Sequence, residues 1–263
     1  MLNVIIPAYN CSKTLGRTLA SLVAQTDQNF EVILIDDCSI EDITSIVEDY
    51  SKKININYIR HEKNMGCGMS RQTGIDNATA SHLMFLDADD ILMPYTIENF
   101  NAFLKVDPQV ELLHSPFYEQ GMSVEGIPIY MLRKNGFDWC HGKLYSVEAI
   151  KRFGIRNVPS IKWADDSYFN SICCELFSIK VIQVPTYIWT NTRTSAMRKV
   201  DASRDKLHTR DMLQAMIMSC EFVSKYKKHI KHLPGTIKRW ENEVEANSEE
   251  AELLEKLRSY QTE

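Results

Sequence analysis

Short unbroken apolar runs alternate with stretches of helical spacing along the first third of the chain. Val4-Ile-Ile-Pro-Ala-Tyr-Asn10 reads as a strand ending in a turn, with Pro7 unsuited to the middle of a ladder. Leu15, Leu19, Leu22 and Val23 then share one helical face, with Asn10 or Ser12 available as the cap. Phe30-Glu-Val-Ile-Leu-Ile-Asp-Asp37 is a second buried strand, ending in two acids. Ser39 and Asp42 start a helix through Ile43, Ile46, Val47 and Tyr50, and Asn57–Arg60 is a short third strand. A loop with Asn64, Gly66 and Gly68 leads into a helix over Ser70–Ala78. Leu83–Leu86 then runs straight into Asp87, Asp89 and Asp90. This alternation predicts the α/β class, a Rossmann-like, mostly parallel sheet with helices on both faces. Two strands end in acids at the same edge, which is where open α/β sheets bind ligands.

The pattern is less regular afterwards. Pro94–Lys105 reads as a helix, Glu111–Pro116 as a strand, and 117–136, with Gly121, Gly126, Pro128 and Gly136, as a hairpin or loop. From Ala202 the chain is helical, with Leu207, Met212, Leu213, Met216, Ile217, Cys220 and Val223 at helical spacing. Pro234-Gly235 breaks it, and 236–260 forms a final helix whose sparse apolar positions (Ile237, Trp240, Val244, Leu253, Leu254, Leu257) pack on a partner chain or fray. The division expected is a domain over 1–200, made of a ligand-binding half (1–95) and a second half (96–200), followed by a C-terminal helical extension (201–263).

Bulk properties narrow the class. A chain of 263 residues with 44% hydrophobic and 25% charged residues is globular, and no apolar run reaches the ~20 residues that span a bilayer. The start lacks the marks of a signal peptide. Seven cysteines, odd in number and without Cys-x-x-Cys spacing, argue against a disulfide framework or zinc site and for a reducing, cytoplasmic setting. The net charge of −5 hides an asymmetry: Thr190–Trp240 carries twelve Lys or Arg against four acids, and the remainder eight Glu against two basic residues. Such a block fits an anionic partner, or two solvated helix faces that pair with each other.

The acids carry the candidate chemistry. Asp87 and Asp89, one residue apart, can present one carboxylate to a ligand and one to Mg²⁺ or Mn²⁺, metals that bridge to substrate phosphates. The same residues also read as a solvated acidic turn before the helix near Pro94. No Gly-x-Gly-x-x-Gly follows the first strand and no P-loop is present, so phosphate must be held by metal and Arg rather than by a glycine cradle.

Taken together, Val4-Ile-Ile-Pro-Ala-Tyr-Asn10, Ile35-Asp-Asp-Cys-Ser39, Asn64-Met-Gly66 with Arg71 and Gly74, and Leu86-Asp-Ala-Asp-Asp90 resemble the family 2 glycosyltransferases of the GT-A fold. The resemblance covers about the first 95 residues. It implies a nucleotide-diphosphate-sugar donor, with uridine as the expected base, and Mn²⁺ or Mg²⁺. It also implies that Pro7, Ala8 and Tyr9 line the base pocket and that Asp36 or Asp37 receives the base edge. Arg71 would lie near base and phosphates, Asp87 and Ala88 near ribose or sugar, and Asp89 on the metal.

The second half resembles the family more loosely. Trp139-Cys-His-Gly-Lys-Leu-Tyr145 is similar to the acceptor-side segment, so Trp139 and His141 are candidates to face the sugar, with the core as the other reading for Trp139. Trp163-Ala-Asp-Asp-Ser-Tyr-Phe169 is similar to a Glu-Asp segment whose Asp is the general base of inverting members. That implies Asp166 as base, with Asp165 in the place of Glu; a pair of helix-start acids is the other reading. Thr190 and Thr192 stand where many members carry Arg and His. This departure leaves Arg193 or Arg198 as candidates for the diphosphate clamp, with a plain surface position as the other reading. The acceptor is either a cell-surface glycan of teichoic-acid type or a hydroxymethylated DNA base, and the acidic overall balance weighs against DNA. A nucleotidyltransferase would show a glycine-rich basic loop where Ala8–Ser12 stands. A non-catalytic nucleotide- or carbohydrate-binding module would not need intact Asp87, Asp89 and Asp166.

Overall fold

The apolar runs become the strands of one central sheet. The computed structural model describes residues 1–123, 125, 127–134, 139–161, 164–190, 202–226 and 249–260. Its first half runs β1 (Leu2–Ala8), α1 (Leu15–Val23), β2 (Phe30–Asp36), α2 (Thr44–Ser51), β3 (Ile56–Arg60), α3 (Cys67–Asp76), β4 (His82–Phe85), β5 (Ile91–Leu92) and α4 (Thr96–Val106). There follow β6 (Leu112–His114), β7 (Phe117–Met122), β8 (Pro128–Arg133), β9 (Lys143–Ser146), α5 (Val147–Phe153) and α6 (Asp165–Leu176). The last elements are β10 (Ile179–Val181), β11 (Tyr187–Thr190), α7 (Ala202–Val223) and α8 (Glu249–Ser259).

The seven-stranded sheet has the order β10-β6-β9-β4-β1-β2-β3. β1 pairs in parallel with β2 and β4, and β2 with β3, while β9 is antiparallel to both its neighbours. Successive side chains of a strand point to opposite faces. Val4 and Ile6 therefore join Leu15 and Leu19 of α1, Val47 of α2 and Phe100 of α4 in one core layer. Ile5 joins Ile75 of α3, Ile150 of α5, Phe169 of α6 and Ala215 of α7 in the other. The expected two-faced α/β sheet is what forms. Leu213, Ile217 and Cys220 of α7 pack on Leu254 and Leu257 of α8. Arg210–Glu249 (3.0 Å) and Lys256–Glu221 (2.8 Å) flank that contact, so part of the basic block meets the acidic tail within the chain. Among the described residues no helix is long and apolar enough to cross a membrane, and all seven cysteines are free thiols.

Several local expectations are corrected. Pro7 lies inside β1, paired with Ile35. Ala8 O accepts from Asp37 N on the β2 side and Ile5 O from Leu86 N on the β4 side. By alternation the Pro7 nitrogen faces β4, beyond the last paired residue, Ile5, so no ladder bond is lost. Neither Asn10 nor Ser12 caps α1, whose N-cap is Thr14 without a side-chain bond. Asn10, at φ 48°, instead accepts Ile40 N (2.8 Å) and Glu41 N, tying the turn after β1 to the turn after β2. The third helix begins at Cys67 rather than Ser70, and Thr96 rather than Pro94 begins the next. Residues 117–136 contain a true hairpin, β7–β8, which joins β5 and β11 in a second sheet of order β5-β11-β7-β8. The final helix is described from Glu249, and positions 236–248 lie outside the described residues.

Candidate functional site

Three strands, β1, β2 and β4, end side by side, and the side chains that follow them build the site. On the β1–β2 side, Pro7 and Ala8 are buried and Tyr9 is 48% exposed. Asp36 is fully buried: one carboxylate oxygen accepts Ser39 N (2.8 Å), the other Tyr58 Oη (2.8 Å) and Arg60. Burial alone would raise its pKa, but the Ser39, Tyr58 and Arg60 bonds hold it below the usual carboxylate range. Asp37 accepts Met65 N and Gly66 N (both 2.8 Å) and the ring of His61 (2.7 Å), whose other nitrogen meets Thr73 Oγ1 at 2.9 Å. It therefore fixes the loop that enters α3.

α3 carries Arg71, and two glycines bring it close to its neighbours. A Cβ on Gly74 would lie 2.3 Å from Ile5 Cγ2, and one on Gly68 would lie 2.7 Å from Asp165 Cβ, so α3 sits tight on β1 and on the first turn of α6. From there Arg71, 5% exposed, donates to Asp87 Oδ1 (2.8 Å) and to Asp165 Oδ2, while its Nε has no partner among the described residues. Burial would raise the Asp87 pKa; Arg71 and then His141 outweigh it and hold the group well below the usual range. The Asp165 carboxyl is pushed up to about 6 by burial, which Arg71 opposes and Asp166 reinforces. Asp166 is half-buried beside it, and one of its oxygens accepts Ser167 N at 2.7 Å.

The β4 end meets the second sheet. Tyr187 Oη receives Asp87 N (3.2 Å) and donates to Asp90 Oδ2 (2.6 Å), and Thr190 N donates to Asp90 Oδ1 (2.6 Å). Burial, then Asp87 and Asp89, push the Asp90 pKa well above the carboxylate range. His141 stacks on Trp189 (5.7 Å, 20°) and lies 4.9 Å from the Tyr187 ring. Its Nε2 stands 3.8 Å from Asp87 and 3.9 Å from Asp90, while its Nδ1 is buried without a partner among the described residues. Gly142, at φ 63°, lets this turn approach Ser115, whose carbonyl a Cβ would meet at 2.7 Å. Asp87, Asp90 and His141 each offer a ligand atom within 4.8 Å of the others. Two carboxylates and an imidazole with a spare nitrogen fit a divalent cation, and the imidazole shifts the preference from Mg²⁺ toward Mn²⁺. Asp89 is half-buried and outside this trio. Its carbonyl accepts Arg17 (2.6 Å), and burial and then Asp87 push its carboxyl up to about 6. Ala88 is buried between the two acids.

Asp87, Arg71, Asp165 and His141 thus meet at one edge, with Asp166 next to Asp165 in the first turn of α6. Trp139 is half-buried and packs against the Trp189 ring at 6.1 Å and the Phe117 ring at 6.0 Å, so it serves the core whatever else it touches. Asp90, Tyr187, Trp189 and Arg17 were given no role from the sequence. For Asp90 a signal existed, three acids within the four positions 87–90; Tyr187 and Trp189 join the site only through strand pairing. Arg193, Arg198 and Thr192 lie outside the described residues.

The chain is similar to known glycosyltransferases. A glycosyltransferase of Haemophilus influenzae, described as uncharacterized, is 36% identical over 116 residues, 44% of this chain and 38% of that protein. The poly(ribitol-phosphate) beta-N-acetylglucosaminyltransferase TarS of Staphylococcus aureus is 28% identical over 181 residues, 64% of this chain and 31% of TarS. The chain therefore spans about a third of the length of these curated relatives. Among solved structures, residues 1–349 of Staphylococcus aureus TarS in complex with UDP-GlcNAc align with a TM-score of 0.70 at 22% identity, covering 98% of this chain and 71% of that one. A mannosyltransferase of Pyrobaculum calidifontis in complex with GDP-Man and Mn²⁺ aligns at 0.59 and 14%, covering 98% and 73%. These likenesses establish the GT-A fold. Residues 3–154, more than half of the chain, match the sequence model of glycosyl transferase family 2, and the chain belongs to that family.

Proposed function

We propose that the chain transfers a sugar, with inversion at the anomeric carbon, from a UDP-sugar to an acceptor hydroxyl. The observation that carries this reading is the Arg71 bridge: one buried guanidinium links Asp87 at the donor edge to Asp165, the neighbour of Asp166, across the mouth of the sheet. In this reading Pro7, Ala8 and Tyr9 line the base, whose edge meets the Asp36–Asp37 turn. Asp87 and Ala88 face ribose and sugar, and Arg71 steadies both halves. The Asp87–Asp90–His141 trio, with Asp89 next to it in sequence, would hold a divalent cation, which would supply charge neutralisation for the leaving diphosphate. Asp166 removes the acceptor hydroxyl proton as that oxygen attacks. The new bond forms between acceptor oxygen and anomeric carbon, the bond from that carbon to the diphosphate oxygen breaks, and its electron pair leaves with the diphosphate. Attack from the side opposite the leaving group inverts the centre, so no nucleophilic carboxylate and no covalent intermediate are required.

The acceptor we favour is a phosphate-bearing glycan polymer of teichoic-acid type. The similarity to TarS supports it, as does the excess of Lys and Arg over 190–240 beyond Arg210, which pairs with Glu249, since phosphate contacts from such residues give salt-dependent binding. The free thiols fit a reducing, cytoplasmic setting. The test is UDP release by purified protein with Mn²⁺ and a panel of UDP-sugars, alone and with poly(ribitol phosphate) or hydroxymethylated DNA. Release stimulated by poly(ribitol phosphate) supports the full reading. Stimulation by the DNA alone replaces the acceptor, and no release from any donor under any condition overturns the transferase reading.

A further inference from the structure

The acids at the end of β4 leave a charge problem that the described side chains solve in one place. A nucleoside diphosphate arriving here meets Asp87, Asp89 and Asp90 within four positions, with Asp165 and Asp166 across the mouth. One divalent cation offsets only part of that sum. Among the described residues, three basic side chains reach Asp87–Asp90. Arg71 is 5% exposed and already divided between Asp87 and Asp165. His141 is 8% exposed, with Nε2 turned to Asp87 and Asp90. The third is Arg17 of α1, which is exposed and whose guanidinium donates to the Asp89 carbonyl at 2.6 Å. That bond uses one of the five N–H groups of an Arg and anchors the planar fork at the rim of the acidic loop, leaving the others to solvent. A guanidinium of this kind suits two adjacent phosphate oxygens, and it is more weakly hydrated than an ammonium.

We propose that Arg17 is a diphosphate-binding residue of this site: anchored on the Asp89 carbonyl, it offers its remaining N–H groups to the phosphate oxygens of the nucleotide donor. The inference rests on the nucleotide-sugar reading above and adds to it a residue from the first helix, outside the acidic motif and outside the loops after β4. Arg17 touches ligand rather than acting through Asp89, which separates it from a residue that merely tethers the loop.

The experiment is isothermal titration of the intact wild-type, Arg17→Gln and Arg17→Lys proteins with UDP and with uridine, in EDTA and in Mn²⁺, alongside Mn²⁺ binding by electron paramagnetic resonance. Arg17→Gln is expected to weaken UDP binding by about tenfold, the size of one charge-assisted bond at an open rim, while uridine binding changes by no more than roughly twofold. Arg17→Lys keeps the charge and is expected to recover part of the loss. Because Arg17 is exposed, the melting temperature should not move. An unchanged ratio of UDP to uridine affinity in Arg17→Gln overturns the proposal. So does a loss of UDP binding that appears only through weaker Mn²⁺ binding, because that is the mark of a tether. Wild-type protein that binds neither UDP nor uridine overturns the nucleotide-sugar reading itself, and this proposal with it.

Discussion

Gly68→Ala is the substitution that separates the geometry of this site from its stability. The new Cβ would stand 2.7 Å from Asp165 Cβ and 3.2 Å from Asp165 Cγ, where carbon atoms in contact prefer about 3.5–4.0 Å. The gap between α3 and the first turn of α6 must therefore open by roughly 1 Å. Such overpacking costs about 1–3 kcal/mol, and replacing a helical glycine by alanine returns about 1 kcal/mol. The net loss is about 0–2 kcal/mol, or a few degrees in melting temperature for a chain of this size. Turnover should suffer far more. Arg71 ties the same turn to Asp87, so the displacement moves Asp166 relative to the donor, and a shift of about 1 Å at a reacting pair costs on the order of a hundredfold. The assay is turnover of the UDP-sugar that the wild type uses, alongside thermal unfolding and UDP titration, with Gly74→Ala as the control. That second Cβ meets Ile5 at 2.3 Å, away from the acids, so its effect should fall on stability. The reasoning is refuted if Gly68→Ala keeps wild-type turnover, or if its lost turnover is matched by an equal loss of UDP affinity.

Three further outcomes follow from the same contacts. Chelation should abolish transfer, Mn²⁺ should restore it better than Mg²⁺, and His141→Ala should raise the Mn²⁺ concentration needed for half-maximal rate by about tenfold. Asp37→Ala leaves Met65 N, Gly66 N and the His61 ring without their shared acceptor; urea unfolding should show a loss of about 1–3 kcal/mol. His114 is held down to about 4, by burial and then by Lys143. Between that value and the ordinary one the unfolded chain binds the extra proton, so stability rises with pH across this window. Urea titrations should find wild type losing up to about 3 kcal/mol more than His114→Gln on acidification from above 6.5 toward 4.

What the sequence showed and what it hid divide along the distance between partners. β1, β2 and β4 announced themselves because strands buried on both faces must be continuously apolar, and the acids that end them could be read off directly. The second sheet could not. β5 is two residues long, too short to carry a period, and Tyr187 pairs with Phe117 across seventy positions of sequence. The trio Asp87, Asp90 and His141 is assembled by that same pairing, since Tyr187 orients Asp90 and its ring, with Trp189, carries His141. Local patterning also misread Asn10. Its side chain suits a helix cap, but the αL turn at the sheet edge claims it for the neighbouring loop. The close approach of α3 to β1 and α6 lay behind Gly68, which in one dimension reads as part of a loop, and Gly74, one more small residue in a helix.

The central claim is that Asp166 takes the proton from an acceptor hydroxyl while a UDP-sugar is held at the edge made by Asp87 and Asp89. The measurement that tests it most directly is single-turnover sugar transfer in Mn²⁺, from the UDP-sugar that the wild type uses to its stimulating acceptor, by wild type and Asp166→Asn, with UDP affinity determined on the same samples. The account predicts a rate lower by about 10²–10⁴-fold in the variant at unchanged UDP affinity. An Asp166→Asn protein that transfers as fast as wild type would contradict it.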